Sequence, residues 1–348
     1  QPEDHGGDAA LRRQRAHLPT QPEYDKFVDT ITHHTMVHEG LKDFYFRPSF
    51  MVRFLFKTRS RSDLYRKLRG FRNFMTYARQ WAETAGSEDS HGRALWSLGK
   101  AVAFLQNPGH LAMSATLFNK ALRAVENFRS PRAIAFSLVG MHAYLGKFSG
   151  DSDVRRIREI LADRLFNQFK NNKTDDWPWL ENALNYANGK LPHALLLSGR
   201  WMQRNDMIDM GLKSLAWLLA IQTEDNHFVP IGSNGWYEKG GPRARFDQQP
   251  VEANTMVEAC VEAFNITRDK SWFDNAVMCF NWFLGHNDLN MPLYDPKTGG
   301  CRDGLMADGI NQNEGAESSL AWLLSLITLQ KLYADEILNQ PSSQKTER

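Results

Sequence analysis

The chain has 348 residues, of which 42% are hydrophobic and 24% charged, with a formal net charge of +2. That is ordinary globular usage, so composition asks for neither a nucleic-acid nor a membrane-surface partner. The longest apolar runs, Leu215–Ile221 and Leu320–Leu329, stop well short of the roughly 20 residues that cross a bilayer, and no membrane span is expected.

Residues 1–22 are polar and rich in Arg, His, Gln and Pro, which reads as a weakly ordered arm without the apolar stretch of a secretory signal. Residues 23–85 are basic and aromatic. Leu64, Leu68, Phe71 and Met75 recur there at helical spacing behind Ser62-Asp63. This stretch invites a membrane-surface or RNA reading, against a scaffold segment with solvated arginine faces; the scaffold reading is preferred. His33, His34 and His38 beside Glu39 have metal-pair spacing but no further ligand nearby. Cys260, Cys279 and Cys301 are odd in number and lack a C-x-x-C pair, so neither a disulfide framework nor a zinc site is expected. The expectation is a cytoplasmic protein without a metal or cofactor.

From 86 to 338 the pattern is regular, with apolar-periodic segments separated by loops of Gly, Pro, Asn and Asp. It predicts helices over 92–105, 109–127, 131–147, 151–169, 183–202, 204–223, 250–267, 271–285 and 313–338. Strand-like texture is confined to Phe228–Ile231, and residues 339–348 form a polar tail. Alternate helices differ in kind. Those opening at Gly92, Pro131, Leu191, Val251 and Gly315 are rich in small and apolar residues, whereas 151–170 is amphipathic with many charges. A helix apolar around most of its circumference is buried and an amphipathic one lies outside. The predicted fold is therefore all-α, an (α/α)6 toroid of alternating inner and outer helices. Five hairpins are countable, and the helix near 63–83 is the candidate for closing the ring.

Parallel inner helices bring their N-terminal loops to one rim. Those loops carry carboxylates, amides and aromatics: Asp175, Asp176, Trp177, Trp179, Glu181, Tyr186 and Asn188; Trp236 and Tyr237; Asp247, Gln248, Gln249 and Glu252; Asp303; Asn313, Glu314 and Glu317. Polar groups that bond hydroxyls beside flat aromatic faces suit a sugar, so a carbohydrate ligand is expected. Neither a P-loop, a dinucleotide fingerprint nor a G-x-S-x-G elbow occurs.

The runs Asp175-Asp176-Trp177-Pro178-Trp179-Leu180-Glu181-Asn182, Phe246-Asp247-Gln248-Gln249-Pro250-Val251-Glu252 and Cys301-Arg302-Asp303-Gly304-Leu305, with Asn313-Glu314-Gly315-Ala316-Glu317, resemble a bacterial family of six-hairpin glycosidase fold. Its members are often encoded beside, or fused to, glycosyltransferases. The resemblance covers residues 85–335 and implies a possible glycosyltransferase partner. One departure stands out. Where such proteins have Tyr-Asp-Asn-Ala-Arg-Leu-Pro, this chain has Tyr186-Ala187-Asn188-Gly189-Lys190-Leu191-Pro192, so a carboxylate and a guanidinium are missing. Residues 38–76 also resemble the terminal tail of cobalamin-type radical SAM proteins, without the cysteine cluster that radical chemistry would need.

Glycoside hydrolysis takes two carboxyl groups, one as acid and one as base or nucleophile. Asp176 and Asp247, each before an inner helix and beside aromatics, form the leading pair, with Glu252, Glu314 and Glu317 as alternates. The other residues named are candidate sugar contacts. Against these roles, a loop aspartate can simply cap a helix, and Glu252 and Glu317 lie in first turns where the helix dipole favours negative charge. The sequence therefore leaves two functions open, a glycoside hydrolase and a non-catalytic carbohydrate-binding or scaffold partner of a glycosyltransferase.

Overall fold

The computed structural model describes residues 71, 75–82 and 86–338, the last four as backbone only. The arm, the histidine cluster, the polar tail and most of residues 38–76 lie outside the described residues. Nine α-helices occur among those described: α1 (Glu88–Phe104), α2 (Pro108–Val125), α3 (Pro131–Lys147), α4 (Ser152–Asn172), α5 (Lys190–Met202), α6 (Asn205–Ile221), α7 (Pro250–Thr267), α8 (Lys270–Asn281) and α9 (Ala316–Leu338).

Their starts follow from local chemistry. Ser87, Asn107, Ser130 and Asp151 each accept a backbone N–H at the head of α1, α2, α3 and α4, and Pro108, Pro131 and Pro250 stand in first turns, where a missing N–H costs nothing.

The odd-numbered helices are the inner layer. Every residue from Lys190 to Gly199 of α5 and from Pro250 to Phe264 of α7 is buried, whereas outer α4 buries one stripe through Val154, Ile157, Leu161, Leu165 and Phe169. Neighbouring inner helices pack in the order α1, α3, α5, α7, α9, and each of the first four also packs on the outer helix that follows it. The all-α toroid is thus the observed architecture. At the mouth, the first and last inner helices meet through Arg93 and Glu317.

The closest helix approach is between α1 and α3. A Cβ on Gly140 would lie 2.7 Å from the Leu95 carbonyl oxygen and 2.7 Å from Trp96 Cα, both backbone. Gly140→Ala is therefore expected to cost about 1–3 kcal/mol through overpacking, read as a lowered urea midpoint; a neutral substitution would refute this close packing.

Two expectations need correction. Residues 75–82 are not helical. Met75 and Trp81 pair antiparallel across a turn, with Met75 half exposed. The helix expected from 183 begins only at Lys190, because Ala183–Leu184 (β1) pairs with Tyr237–Glu238 (β4) and Ala187 takes φ 51°, the left-handed region that stops a helix from forming. The strand-like texture near Phe228 is real, as His227–Phe228 (β3) pairs with Thr223–Glu224 (β2), and a third hairpin joins Gly304–Met306 (β5) to Gly309–Asn311 (β6).

Candidate functional site

The N-terminal turns of the inner helices assemble a charged mouth. On α1, Arg93 Nε donates to Asp89 Oδ2 at 2.9 Å, and its Nη1 reaches across to Glu317 Oε2 of α9 at 3.2 Å. The same guanidinium lies 4.5 Å over the Phe136 ring and 5.8 Å over that of Tyr186. Tyr186 closes the circuit by donating its hydroxyl to Asp89 Oδ1 at 3.1 Å. The floor beneath is apolar, with Phe136, Ala187 and Val251 in contact and Trp96 and Tyr186 packed against them.

Arg132, only 4% exposed at the head of α3, shapes the loop that enters α5. Each of its three nitrogens donates once, to Tyr186 O at 2.5 Å, Glu181 Oε2 at 2.6 Å and Asn188 Oδ1 at 3.1 Å. A buried guanidinium needs such acceptors, because its charge cannot be shed. Glu252, in the first turn of α7, receives the other side of the same turn. Its carboxyl accepts from Ala187 N at 2.6 Å and Asn188 N at 3.4 Å. Burial pushes Glu252 up to about 7. The two backbone donors and Arg132 oppose that rise, and nearby Glu317 adds to it. A carboxyl group held partly protonated at neutral pH is the most unusual titration state in the mouth.

Below the floor, the Lys190 ammonium bonds Glu258 and lies 4.8 Å from the Trp96 ring centre and 5.6 Å from that of Phe136. Burial alone would raise Glu258, but Lys190, His193 and Lys100 outweigh it and hold the carboxyl down at about 2. Burial pushes the Lys190 ammonium down in turn, with Glu258 opposing.

The structure distributes the expected site residues unevenly. Glu181, Tyr186, Asn188, Glu252 and Glu317 come together at the mouth, yet Asn188 is fully buried and all its side-chain bonds go to Arg132 and Asn185. It shapes the turn and offers nothing to a ligand.

Asp175 and Asp176 face solvent. Asp176 is 80% exposed and 4.0 Å from Lys239, and the Thr174 hydroxyl holds its carboxyl below the usual range. Among the described residues no hydrogen bond or ion pair joins Asp176 to the mouth network. Asp247 is half-buried three residues before α7. Its backbone oxygen accepts from Ser233, while its carboxylate has no hydrogen bond among the described residues.

Trp177 and Trp179 are 4% and 0% exposed, packed edge-on and stacked against Trp217. They are core residues rather than sugar platforms, because Trp177 Nε1 is anchored on Glu181 O at 2.7 Å and turns the indole inward. Tyr237 packs edge-on against Trp177, and half-buried Trp236 sits at φ 57°. Gln248 is also a correction. It is 0% exposed and spends its amide on Trp282, Arg245 and Asp288. Gln249 is half-buried ahead of α7 and caps it without a side-chain bond.

Asp303, Asn313 and Glu314 form a separate cluster ahead of α9. Asp303 accepts from Gly315 N and Ser318 Oγ, both at 2.6 Å, and from Asn313; Arg302 bridges Glu314 and Asp295. Asp303 therefore organises the head of α9, and Asp303→Ala should cost about 0.5–2 kcal/mol, as a lost N-terminal cap does, read by thermal melting. An unchanged melt would leave that role unsupported.

Sequence reasoning missed Arg93, Arg132 and Lys190 as site-forming residues. The available signal was a basic residue within one or two turns of the start of α1, α3 and α5, in segments otherwise apolar. Among the described residues no group of three metal-ligating side chains occurs, and no helix is long and apolar enough to cross a membrane.

No protein-family model matches the chain, and no curated protein matches it. Among solved structures it is similar to a D-mannose isomerase, with a TM-score of 0.52 at 15% identity over 77% of this chain and 77% of that one. It is also similar to a glycoside hydrolase family 76 mannosidase from Bacteroides thetaiotaomicron, with a TM-score of 0.51 at 9% identity over 77% of this chain and 80% of that one. At such identities the likeness is one of fold, and it agrees with the toroid built above.

Proposed function

We propose that this chain is a carbohydrate-active enzyme whose toroid mouth binds a sugar and hydrolyses a glycosidic bond. The observation that carries this reading is the pairing of unlike carboxyl groups at the mouth. Glu252 is held at about 7, and Glu317 is an Arg93-bonded carboxylate with 65% of its side chain exposed. A carboxyl group that keeps its proton near neutral pH, with a second carboxyl group across the scissile bond, is what acid-assisted cleavage uses. Glu252 supplies the proton to the leaving oxygen, and Glu317 acts as base or nucleophile. Arg93, Asp89 and the Tyr186 face orient the hydroxyls and cover a ring face. The toroid likeness to a mannosidase and a mannose isomerase makes mannose-type sugars the first to try.

A second reading has its own support. Glu252 is 1% exposed with both oxygens on backbone amides, and Ala187 stands where the resembled family has an acid. On this reading the mouth binds sugar without cleaving it, as a partner of a glycosyltransferase. The 186–188 turn is the gate between the two, because substrate reaches Glu252 only when that turn lifts.

A glycan panel read in parallel for binding and for products in 18O-labelled water separates them. Hydrolysis places one 18O in the released reducing sugar. Binding without product would sink the enzyme reading, and conversion of a free sugar without cleavage would replace hydrolysis by isomerisation.

A further inference from the structure

We propose a second ligand site on the rim opposite the mouth, an oxyanion site formed by Lys100, His142, Arg158 and Arg200 that takes a phosphate-type or carboxylate group of a small molecule. It is independent of the sugar reading. Lys100, His142 and Arg200 lie 10–12 residues beyond the first residues of α1, α3 and α5, about 15–18 Å from the mouth at helical rise. They reach the same end of the toroid.

Arg158 is the residue that demands an explanation. It is 6% exposed, and its Nε and Nη1 are buried without a hydrogen-bond partner. A guanidinium keeps its charge in any protein, and buried N–H groups without partners are rare and costly. A cation–π contact offsets only part of that cost for Arg158. Its guanidinium lies 5.4 Å over the Trp201 ring, and His142 meets the same ring edge-on at 5.3 Å.

Both signs of charge face this point: Lys100, Arg155, Arg158 and Arg200 stand against Glu159 and Glu262, and Lys100 also acts on Glu258. Burial, then Lys100, Arg200 and Arg158, push His142 down to about 4, and His142 in turn weighs on His193 of α5. Arg155 adds like charge to Arg158, and Glu159 is the acid acting on it. Glu262 is already engaged by Arg200 at 3.0 Å.

The ordinary alternative is that cations sit near helix C-termini because the dipole favours them there. It accounts for Lys100, His142 and Arg200. It fails for Arg158, which lies in the second turn of α4, near the end of the helix where the dipole disfavours a cation. An oxyanion would satisfy the orphaned N–H groups with charge-assisted bonds and relieve the mutual repulsion at once.

The test follows the His142 ring by nitrogen NMR in the full chain, with inorganic phosphate, acetate and chloride at equal ionic strength. Phosphate or acetate should raise the His142 titration midpoint by about one pH unit or more, saturably, and the arm that does so names the anion. Arg158→Met should weaken that response at least about tenfold while raising the melting temperature in phosphate-free buffer, since an unpaired buried charge has been removed. Lys100→Gln, at a partly exposed position, should weaken it several-fold and covers the case in which Arg158→Met fails to fold. A response no larger than chloride's would overturn the proposal. So would wild-type binding in both variants, or a lower melting temperature for Arg158→Met in phosphate-free buffer.

Discussion

Glu258→Ala is expected to lower the unfolding free energy by about 3–5 kcal/mol, the range for breaking one side of a buried ion pair. Lys190 is 0% exposed and Glu258 5%. With the carboxylate gone, the ammonium faces the Trp96 and Phe136 rings and an unpartnered His193 Nδ1 that lies 4.0 Å from Glu258 in the intact protein. Aromatic faces return part of the lost attraction, but only about 1–2 kcal/mol even when desolvated. Against a typical total of 5–15 kcal/mol, the variant should be close to unfolding at body temperature.

The double variant Lys190→Met/Glu258→Met should recover most of the loss, because no buried charge is left uncompensated. Urea midpoints of the single and double variants, with m values compared, decide it. A single variant within about 1 kcal/mol of wild type would mean that the pair is not isolated from solvent. The pH dependence has a definite sign. Glu258 titrates at about 2 when folded, below its ordinary 4.5, so its contribution is complete above pH 4.5 and is lost as pH falls from there through 2.

This ion pair also marks where the sequence stops being readable. The spans of α3 and α7 follow from periodicity and an N-terminal proline, and both begin and end where the pattern places them, at 131–147 and 250–267. Such signals are local. The bond from Lys190 to Glu258 spans 68 residues and that from Arg132 to Glu181 spans 49, and nothing in the letters says which buried base meets which buried acid.

The same limit explains the misplaced aromatics. Trp177 and Trp179 sit among Asp, Pro and Asn and read as exposed. What buries them is Trp217 on α6 and Phe169 on α4, known only once the hairpins are docked. Asp176 looked catalytic for its neighbours, yet its side chain turns to solvent and Lys239. Glu252 and Glu317, weighed against helix-dipole residues, lie at the mouth because the first turn of an inner helix is at once the place the dipole favours and the place the ligand would meet.

Glu252→Gln should separate catalysis from architecture more sharply than any other single change. Under the hydrolase reading it removes the proton donor while the amide oxygen can still accept from Ala187 N, and turnover should fall by about 10²–10⁴ with sugar binding retained. Stability should move the other way. The folded carboxyl titrates at about 7 against an ordinary 4.5, so the folded state holds a proton that the unfolded chain has released. The Glu252 contribution to wild-type stability is therefore largest below pH 4.5 and is lost as pH rises through 7, by about 3 kcal/mol for a shift of this size. The Gln variant has no proton to release, so its profile across that window should be flat and it should outlast wild type at pH 8. Urea midpoints at pH 5 and pH 8, set beside initial rates at pH 6, test both halves. If rates stay within tenfold of wild type while the stability profile flattens as expected, Glu252 is a clasp for the 187–188 turn. The acid would then have to be sought among the other carboxylates of the rim, beginning with half-buried Asp247, whose carboxylate accepts no hydrogen bond among the described residues.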